Sequence, residues 1–152
     1  MTAKFGDFFP AELKESFSTS SIKAGSVFRL HVTETNPPKI KRFVVIGVDN
    51  NFMSAGIIFI NSEISEFIKT SGELSGLQFE IKKEDAEFLD HDSYLDCAQL
   101  YEIDVERLRE EVKNDIGKCL GELSKDQLKK AKKLVASART VENKLKRKYY
   151  II

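Results

Sequence analysis

A chain of 152 residues is long enough to bury a hydrophobic core in one domain without disulfide or metal cross-links. Hydrophobic residues make up 41%, charged residues make up 32%, and the formal net charge is zero, which argues against a disordered chain. The sequence contains neither a secretory signal nor an apolar run of the ~20 residues that cross a bilayer, so we expect a cytoplasmic protein.

The N-terminal part of the sequence predicts an arm followed by a strand. Residues 1–24 contain a proline and the polar run SFSTSS, so we expect an arm with one short helix. The stretch VFRLHV at 27–32 places Phe28, Leu30 and Val32 on one face, which is the two-residue period of a half-buried strand. The following TETNPPKIK is predicted to be a loop, because proline donates no hydrogen bond within a sheet.

Four further β segments follow at short spacing. FVVIGV at 43–48 and GIIFIN at 56–61 are joined by a turn sequence, which predicts a hairpin. LQFEIKK at 77–83 alternates again, and SYLDCAQLYEI at 93–103 is predicted to be one longer strand. Because helices do not regularly separate these five segments, they favour a small antiparallel barrel of the α+β or mainly β class over a parallel α/β sheet.

Two helices are predicted after the last long strand. Asp104 is a suitable N-cap for the short helix VERLREEVKND, which Gly117 would end. Ser124 and Gln127 have the spacing of a capping box, and the apolar residues after them recur with helical period. We therefore expect a long C-terminal helix at about 125–146, with lysines on its outer side.

These elements predict a simple domain organisation. An N-terminal arm at 1–24 precedes a single domain at 25–148 that includes the C-terminal helix. The tail at 149–152 reads YYII, and because it is apolar we expect it to pack on a partner or a neighbouring subunit.

The segment FLDHDSYLDC contains residue types that bind metals. The acidic pair Asp90 and Asp92 flanks His91 ahead of a predicted strand, in which Asp96 and Cys97 alternate to opposite faces. Side chains placed in this way are not expected to converge on one ion, as a metal site requires. The sequence therefore predicts a turn that leads into a strand, with no metal site and no cofactor.

Charge is distributed unevenly along the chain. The range 84–111 holds 11 acidic residues and two arginines, whereas 129–148 holds nine basic residues and one acidic residue. Such asymmetry is typical of proteins that bind nucleic acid or a partner of opposite charge. It is also consistent with two blocks that face each other within the molecule or across a dimer.

The order of these motifs resembles that of the PemK/MazF-like toxins of toxin–antitoxin systems. The segments similar to that family are GSVFRLHV, KRFVVIGVD, IIFINSEI, DSYLDCAQLYEIDVERL and GELSKDQLKKAKKLV. The resemblance implies an SH3-like barrel that forms a homodimer, is regulated by a cognate antitoxin protein, and cuts single-stranded RNA without a metal.

RNA cleavage through the 2′-hydroxyl needs a base, an acid and a cation for the charged phosphorus intermediate. Near the TETNPPKIKR loop, Glu34 is the candidate base, His31 the candidate acid, and Arg42 the candidate phosphate-binding group. The resemblance places Ser62 at a family Ser/Thr position. The predicted RNA-binding residues are Arg29, Lys39, Lys41 and Ser62.

A second interpretation belongs to a different functional class. Asp96 and Ala98 stand where many members of that family carry catalytic residues. This favours, as the alternative, a non-catalytic SH3-like barrel that binds protein or nucleic acid.

Overall fold

The computed structural model of the chain describes residues 10–32, 37 and 39–152. Within these residues, no helix is both long and apolar enough to cross a membrane. The helices are α1 (Ala11–Ser20), α2 (Glu66–Thr70), α3 (Gly72–Ser75), α4 (Val105–Asn114), α5 (Lys125–Ser137) and α6 (Asn143–Lys148). The strands are β1 (Ser26–Val32), β2 (Lys39–Val48), β3 (Ser54–Asn61), β4 (Gln78–Ile81), β5 (Ser93–Asp96), β6 (Tyr101–Asp104) and β7 (Cys119–Glu122).

The seven strands form one curled antiparallel sheet that resembles half of a barrel. Their order is β4-β5-β3-β2-β1-β7, and β6 pairs with the first half of β3 where β5 pairs with its end. Every strand pair is antiparallel. The prediction of a mixed, antiparallel architecture is therefore confirmed, and the sheet remains open at β4 and β7.

The long strand predicted at 93–103 is divided in two. The carboxylate of Asp96 accepts a hydrogen bond from the backbone N–H of Ala98 at 3.1 Å, and the chain bends there. A side chain that bonds the backbone two residues on competes with the sheet ladder. The bend moves the chain from the end of β3 to its beginning, so that β5 and β6 pair with different halves of the same strand.

Both faces of the sheet are covered. Along β2, Phe43 and Val45 point to the face that packs on α4, while Val44 and Ile46 point to the face that packs on α5. We call these the α4 face and the α5 face. Strands that are buried on both sides need apolar residues at nearly every position. This is the pattern of β2 from Phe43 onwards and of β3.

The N-terminal caps of α4 and α5 form as predicted. Asp104 accepts a hydrogen bond from the backbone of Glu106 at 3.2 Å, and Ser124 and Gln127 make both hydrogen bonds of a capping box. Helix α4 ends at Asn114, ahead of Gly117, because Asp115 has an extended backbone with φ −154° and ψ 98°.

The prediction of one long C-terminal helix is wrong. Helix α5 ends at Ser137, the chain turns through Ala138 and Val141, and the short helix α6 follows. The turn buries both of these apolar side chains. Lys146, which is only 5% exposed, donates hydrogen bonds from Nζ to the carbonyls of Ala136 and Ala138 at 2.8 Å each. The lysine therefore satisfies carbonyls that the end of α5 leaves without helical partners.

The C-terminal tail packs within the chain at Tyr149 and leaves Tyr150 and Ile152 exposed, so its predicted contact with a partner or a neighbouring subunit stays a prediction. Tyr149 is fully buried against Gly47 and Gly56 of the central hairpin. Its hydroxyl donates a hydrogen bond to Glu102 at 2.5 Å and lies 2.9 Å from the hydroxyl oxygen of Ser54. The tail therefore closes the α5 side of the sheet beside α6.

Candidate functional site

A polar cleft of about 280 Å³ opens at the end of the sheet where β1, β2 and β3 come together. Four of the residues that line it carry positive charge or an imidazole, and two carry hydroxyl groups. The lining residues are Arg29, Ile40, Lys41, Arg42, Ile60, Ser62, His91 and Ser93. The cleft thus contains four residues predicted to bind or act on RNA, namely Arg29, Lys41, Arg42 and Ser62.

The strand register places two arginines side by side. Arg29 of β1 lies directly opposite Arg42 of β2, which in turn lies opposite Ile60 of β3. Residues opposite each other on antiparallel strands point to the same face with their Cβ atoms about 5 Å apart. Like charges at such a position repel, so an anion between the two guanidinium groups would be stabilised.

Arg42 is the more enclosed of the two arginines. Its Nη2 donates a hydrogen bond to Asp90 Oδ2 at 2.7 Å, and its side chain is 24% exposed whereas that of Asp90 is 77% exposed. This hydrogen bond is the main cause that lowers the pKa of Asp90. The buried Nε of Arg42 has no hydrogen-bond partner in the described part of the chain.

His91 and Ser93 form the opposite wall of the cleft. The Ser93 hydroxyl donates to the backbone oxygen of His91 at 3.0 Å, and the same hydroxyl oxygen lies 3.3 Å from His91 Nδ1. Because the hydroxyl hydrogen points to the carbonyl, Nδ1–H is the donor to Ser93 in the neutral imidazole. Nε2 is then left as an acceptor, which is the form that a general base requires.

Lys41 reaches the rim of the cleft from the α4 face. Its ammonium donates to Asn61 Oδ1 and lies 5.2 Å from the centre of the Phe59 ring. Burial, followed by repulsion from Lys39, lowers the pKa of Lys41. Lys39 itself is exposed at the start of β2. These two lysines therefore contribute charge near the mouth of the cleft.

Of the other two predicted catalytic residues, the structure describes only His31. His31 lines a neighbouring cavity of about 310 Å³, which shares Arg29 and Ile40 with the cleft. Its backbone oxygen accepts a hydrogen bond from Arg107 at 2.9 Å. Glu34 lies outside the described residues. The structure thus brings together the predicted phosphate-binding residues and adds His91, which alternation with Ser93 and the start of β5 places on the α5 face.

The acidic segment ahead of β5 is held by separate interactions. Asp90 binds Arg42, Asp92 accepts from the backbone N–H of Lys83 at 2.8 Å, and Asp96 accepts from Gln78 at 2.9 Å. Within residues 10–32, 37 and 39–152, no three His, Cys, Asp or Glu side chains are placed to hold a metal. Burial raises the pKa of the Cys97 thiol to about 12, which makes it a poor nucleophile.

A second cavity of about 490 Å³ shares Ser62 with the cleft. Tyr94 of β5 supplies an aromatic wall, and Glu63 and Glu66 supply hydrogen-bond acceptors. Together the two cavities offer a cationic pocket for an oxyanion and, beside it, a wider pocket with a ring face.

Comparison with protein-family models gives no match for this chain, and comparison with the sequences of known proteins gives none either.

Proposed function

We propose that the cleft binds the backbone of single-stranded RNA, and that the chain is an SH3-like barrel of the PemK/MazF type. The observation that carries the proposal is the placement of Arg29 directly opposite Arg42 in the cleft. A phosphate between them would relieve the repulsion of two cations and would accept charge-assisted hydrogen bonds from their guanidinium groups.

The second cavity supports a single strand over a free phosphate. Ser62 lines both cavities, so a strand held near it could pass around the end of β3 to reach Tyr94, which alternates with Ser93 onto the other face of the sheet. Proteins that recognise single strands combine a cationic groove with aromatic side chains on which bases stack. The base edge could donate hydrogen bonds to Glu63 or Glu66.

A cleavage step at this site would use protein groups alone. The ribose 2′-oxygen would attack phosphorus as it loses its proton to His91 Nε2, and the bond to the 5′-oxygen would break as that oxygen takes a proton from protonated His31, the candidate acid. Arg29 and Arg42 would stabilise the negative charge on the phosphorus oxygens. Glu34 is the alternative candidate for the base in place of His91.

The alternative function is RNA binding without cleavage. Asp96 and Ala98, which stand where the resembling family carries catalytic residues, are both held in structural hydrogen bonds away from the cleft. In that function the same arginines bind RNA, and no bond is broken.

One experiment separates these functions. Purified protein is incubated with labelled single-stranded RNA in EDTA, and both the bound fraction and RNA integrity are measured for wild type, His91→Gln and the double variant Arg29→Gln/Arg42→Gln. Cleavage by wild type that is lost in His91→Gln supports the nuclease, whereas binding with intact RNA supports the alternative. Unchanged binding by the double variant overturns both.

The proposal also includes a homodimer and a cognate antitoxin. The Phe67 side chain on α2 is 75% exposed beside the second cavity, where a partner segment could cover it and the RNA path together. Sedimentation velocity of wild type and Phe67→Ser tests this surface. An unchanged sedimentation coefficient, together with unchanged binding of a co-expressed partner, would count against it.

A further inference from the structure

The end of the acidic block and the basic block lie on opposite faces of the sheet. Helix α4, which carries that end, packs on the α4 face, whereas α5 packs on the other face together with the start of the acidic block around Ala86 and Phe88. Among the described residues, one ion pair joins the two blocks, from Lys148 Nζ to Glu102 Oε2 at 2.7 Å. Direct ion pairs to the acidic block therefore neutralise little of the basic block.

Most cations on the outer side of α5 and α6 lack partners. In the part of the chain that the structure describes, seven cations of α5 and α6 make no ion pair and no hydrogen bond, namely Lys125, Lys129, Lys130, Lys132, Lys133, Lys144 and Arg147. The inner side of α5 is fixed by the buried residues Ala131 and Val135. Lys129 and Lys133 are one helical turn apart, a spacing at which like charges repel. This surface therefore carries uncompensated positive charge on a rigid support.

We propose that the outer side of α5 and α6 is a second binding surface, which contacts the phosphates of a nucleic-acid strand without regard to sequence. The surface is distinct from the cleft, and the proposal rests on its own charges and not on the function of the cleft. We call it the lysine surface and define it by Lys129, Lys132, Lys133 and Arg147.

Its composition favours nucleic acid over an acidic protein. In residues 125–148 of α5, α6 and their connection, no large hydrophobic side chain is exposed, and the exposed Tyr150 and Ile152 follow the end of α6. Stable protein interfaces bury apolar or aromatic anchors at their centre, and α5, which carries three of the four cations, offers none. Phosphate backbones need only cations, and the counterions released on binding supply the driving force. An acidic polypeptide is therefore the less suitable ligand.

Its position also fits a strand that is longer than the cleft. Lys130 of α5 lies 4.6 Å from the centre of the Phe79 ring in β4, and Gln127 Nε2 donates to the backbone oxygen of Asp85 at 3.3 Å. The N-terminal half of α5 thus lies beside the β4 edge of the α5 face, the face into which the cleft opens. A long strand bound in the cleft is on the correct face to continue onto the lysine surface.

The test compares two double variants with equal loss of charge. Lys129→Gln/Lys133→Gln removes charge from the lysine surface, and Lys14→Gln/Lys23→Gln removes the same charge from α1 and the loop before β1. For each protein, affinity for a long single-stranded RNA is measured at several salt concentrations, and circular dichroism checks the fold. The salt slope is the slope of the logarithm of affinity against the logarithm of salt concentration. Each lost phosphate contact reduces its magnitude by about 0.7, so we expect a reduction of about 1.4 for the first variant and none for the second.

Two further arms make the outcome decisive. A trinucleotide fills the cleft alone, and we expect Lys129→Gln/Lys133→Gln to bind it as wild type does. If the trinucleotide fails to bind while the difference in salt slope persists, the proposed function of the cleft is wrong and the proposal that the lysine surface binds nucleic acid is retained. Equal slopes for the two double variants overturn the proposal that the lysine surface binds nucleic acid. Polyglutamate binding that is lost in Lys129→Gln/Lys133→Gln, with RNA binding unchanged, also overturns it in favour of an acidic protein.

Discussion

The guanidinium of Arg42 donates a hydrogen bond to the carboxylate of Asp90 at 2.7 Å, although 48 residues separate them in the chain. Asp90 therefore occupies one side of the group that is best placed to hold a phosphate. The arginine lowers the pKa of Asp90, so the carboxylate is ionised at neutral pH and opposes any other anion in the cleft. Its effect on binding is directly measurable.

We expect Asp90→Asn to increase affinity for single-stranded RNA by roughly 2- to 5-fold, because it removes an exposed negative charge beside the arginine. Fluorescence anisotropy at fixed salt measures the change. Glu87→Gln is the matched control, since Glu87 is an exposed acid in the same segment and makes no ion pair among the described residues. Equal affinities for wild type and Asp90→Asn would show that the Asp90 carboxylate does not oppose RNA binding in the cleft.

The packing of Tyr149 predicts that the central hairpin tolerates no larger side chain. A Cβ atom on Gly56 would lie 2.8 Å from Cδ2 of Tyr149, and one on Gly47 would lie 2.2 Å from its backbone oxygen. We expect Gly56→Ala to lower the free energy of unfolding by about 1–3 kcal/mol because the tail must shift. Urea denaturation measures it.

Gly72→Ala in α3 is the control for Gly56→Ala. In the described structure no heavy atom lies within 4 Å of a Cβ built on Gly72, so this change should leave stability unchanged or slightly increased. A Gly56→Ala protein as stable as Gly72→Ala would show that the tail does not pack over the hairpin in solution.

Lys146 should be more important for stability than any other lysine of the C-terminal region. Lys146→Met removes two hydrogen bonds to the end of α5, so the carbonyl of Ala136 loses its Lys146 donor and that of Ala138 keeps only the long bond from Val141 N–H at 3.4 Å. We expect a loss of about 1–3 kcal/mol in the free energy of unfolding. The exposed Lys144→Met should change stability by less than about 0.5 kcal/mol. Similar denaturation midpoints for the two variants would show that the hydrogen bonds from Lys146 to the end of α5 do not stabilise the fold.

Acid should weaken the attachment of the C-terminal tail. Hydrogen bonds from Lys148 and Tyr149 lower the pKa of Glu102 below its usual 4.5. Because the folded pKa is depressed, the stabilisation is fully present above the unfolded pKa and is lost as pH falls through the folded value. We expect Glu102→Gln to flatten the fall in stability below about pH 4.5. A wild-type and a variant curve of equal steepness in that range would refute this linkage.

Local patterns predicted the elements more reliably than their pairing. Alternation placed Arg29 and His31 on one face of β1, and the capping box located the start of α5. No local pattern states which residue of β2 lies opposite Arg29, because register depends on the whole sheet. The pairing of Arg29 with Arg42, and the contact of Arg42 with Asp90, therefore emerge only from the fold.

Two features of the C-terminal region are ambiguous in the sequence. Val141 and Leu145 continue the helical spacing of α5, although the chain turns between Ala138 and Glu142. Two short helices that bury the same residues produce the same pattern as one long helix. Likewise, Lys146 is one lysine in a basic run, and nothing in the sequence distinguishes it from exposed neighbours. The sequence predicts only an acidic turn at His91. That His91 and Ser62 line the same cleft depends on the pairing of β3 with β5, which no local pattern states.

The most direct test of the central claim is an NMR titration of the ¹⁵N-labelled protein with a short single-stranded RNA. We expect the largest changes in backbone amide chemical shift at Arg29, Arg42, Ser62 and His91. These changes should disappear in Arg29→Gln/Arg42→Gln. Saturable changes confined to other surfaces, with these four residues unaffected, would contradict the central claim.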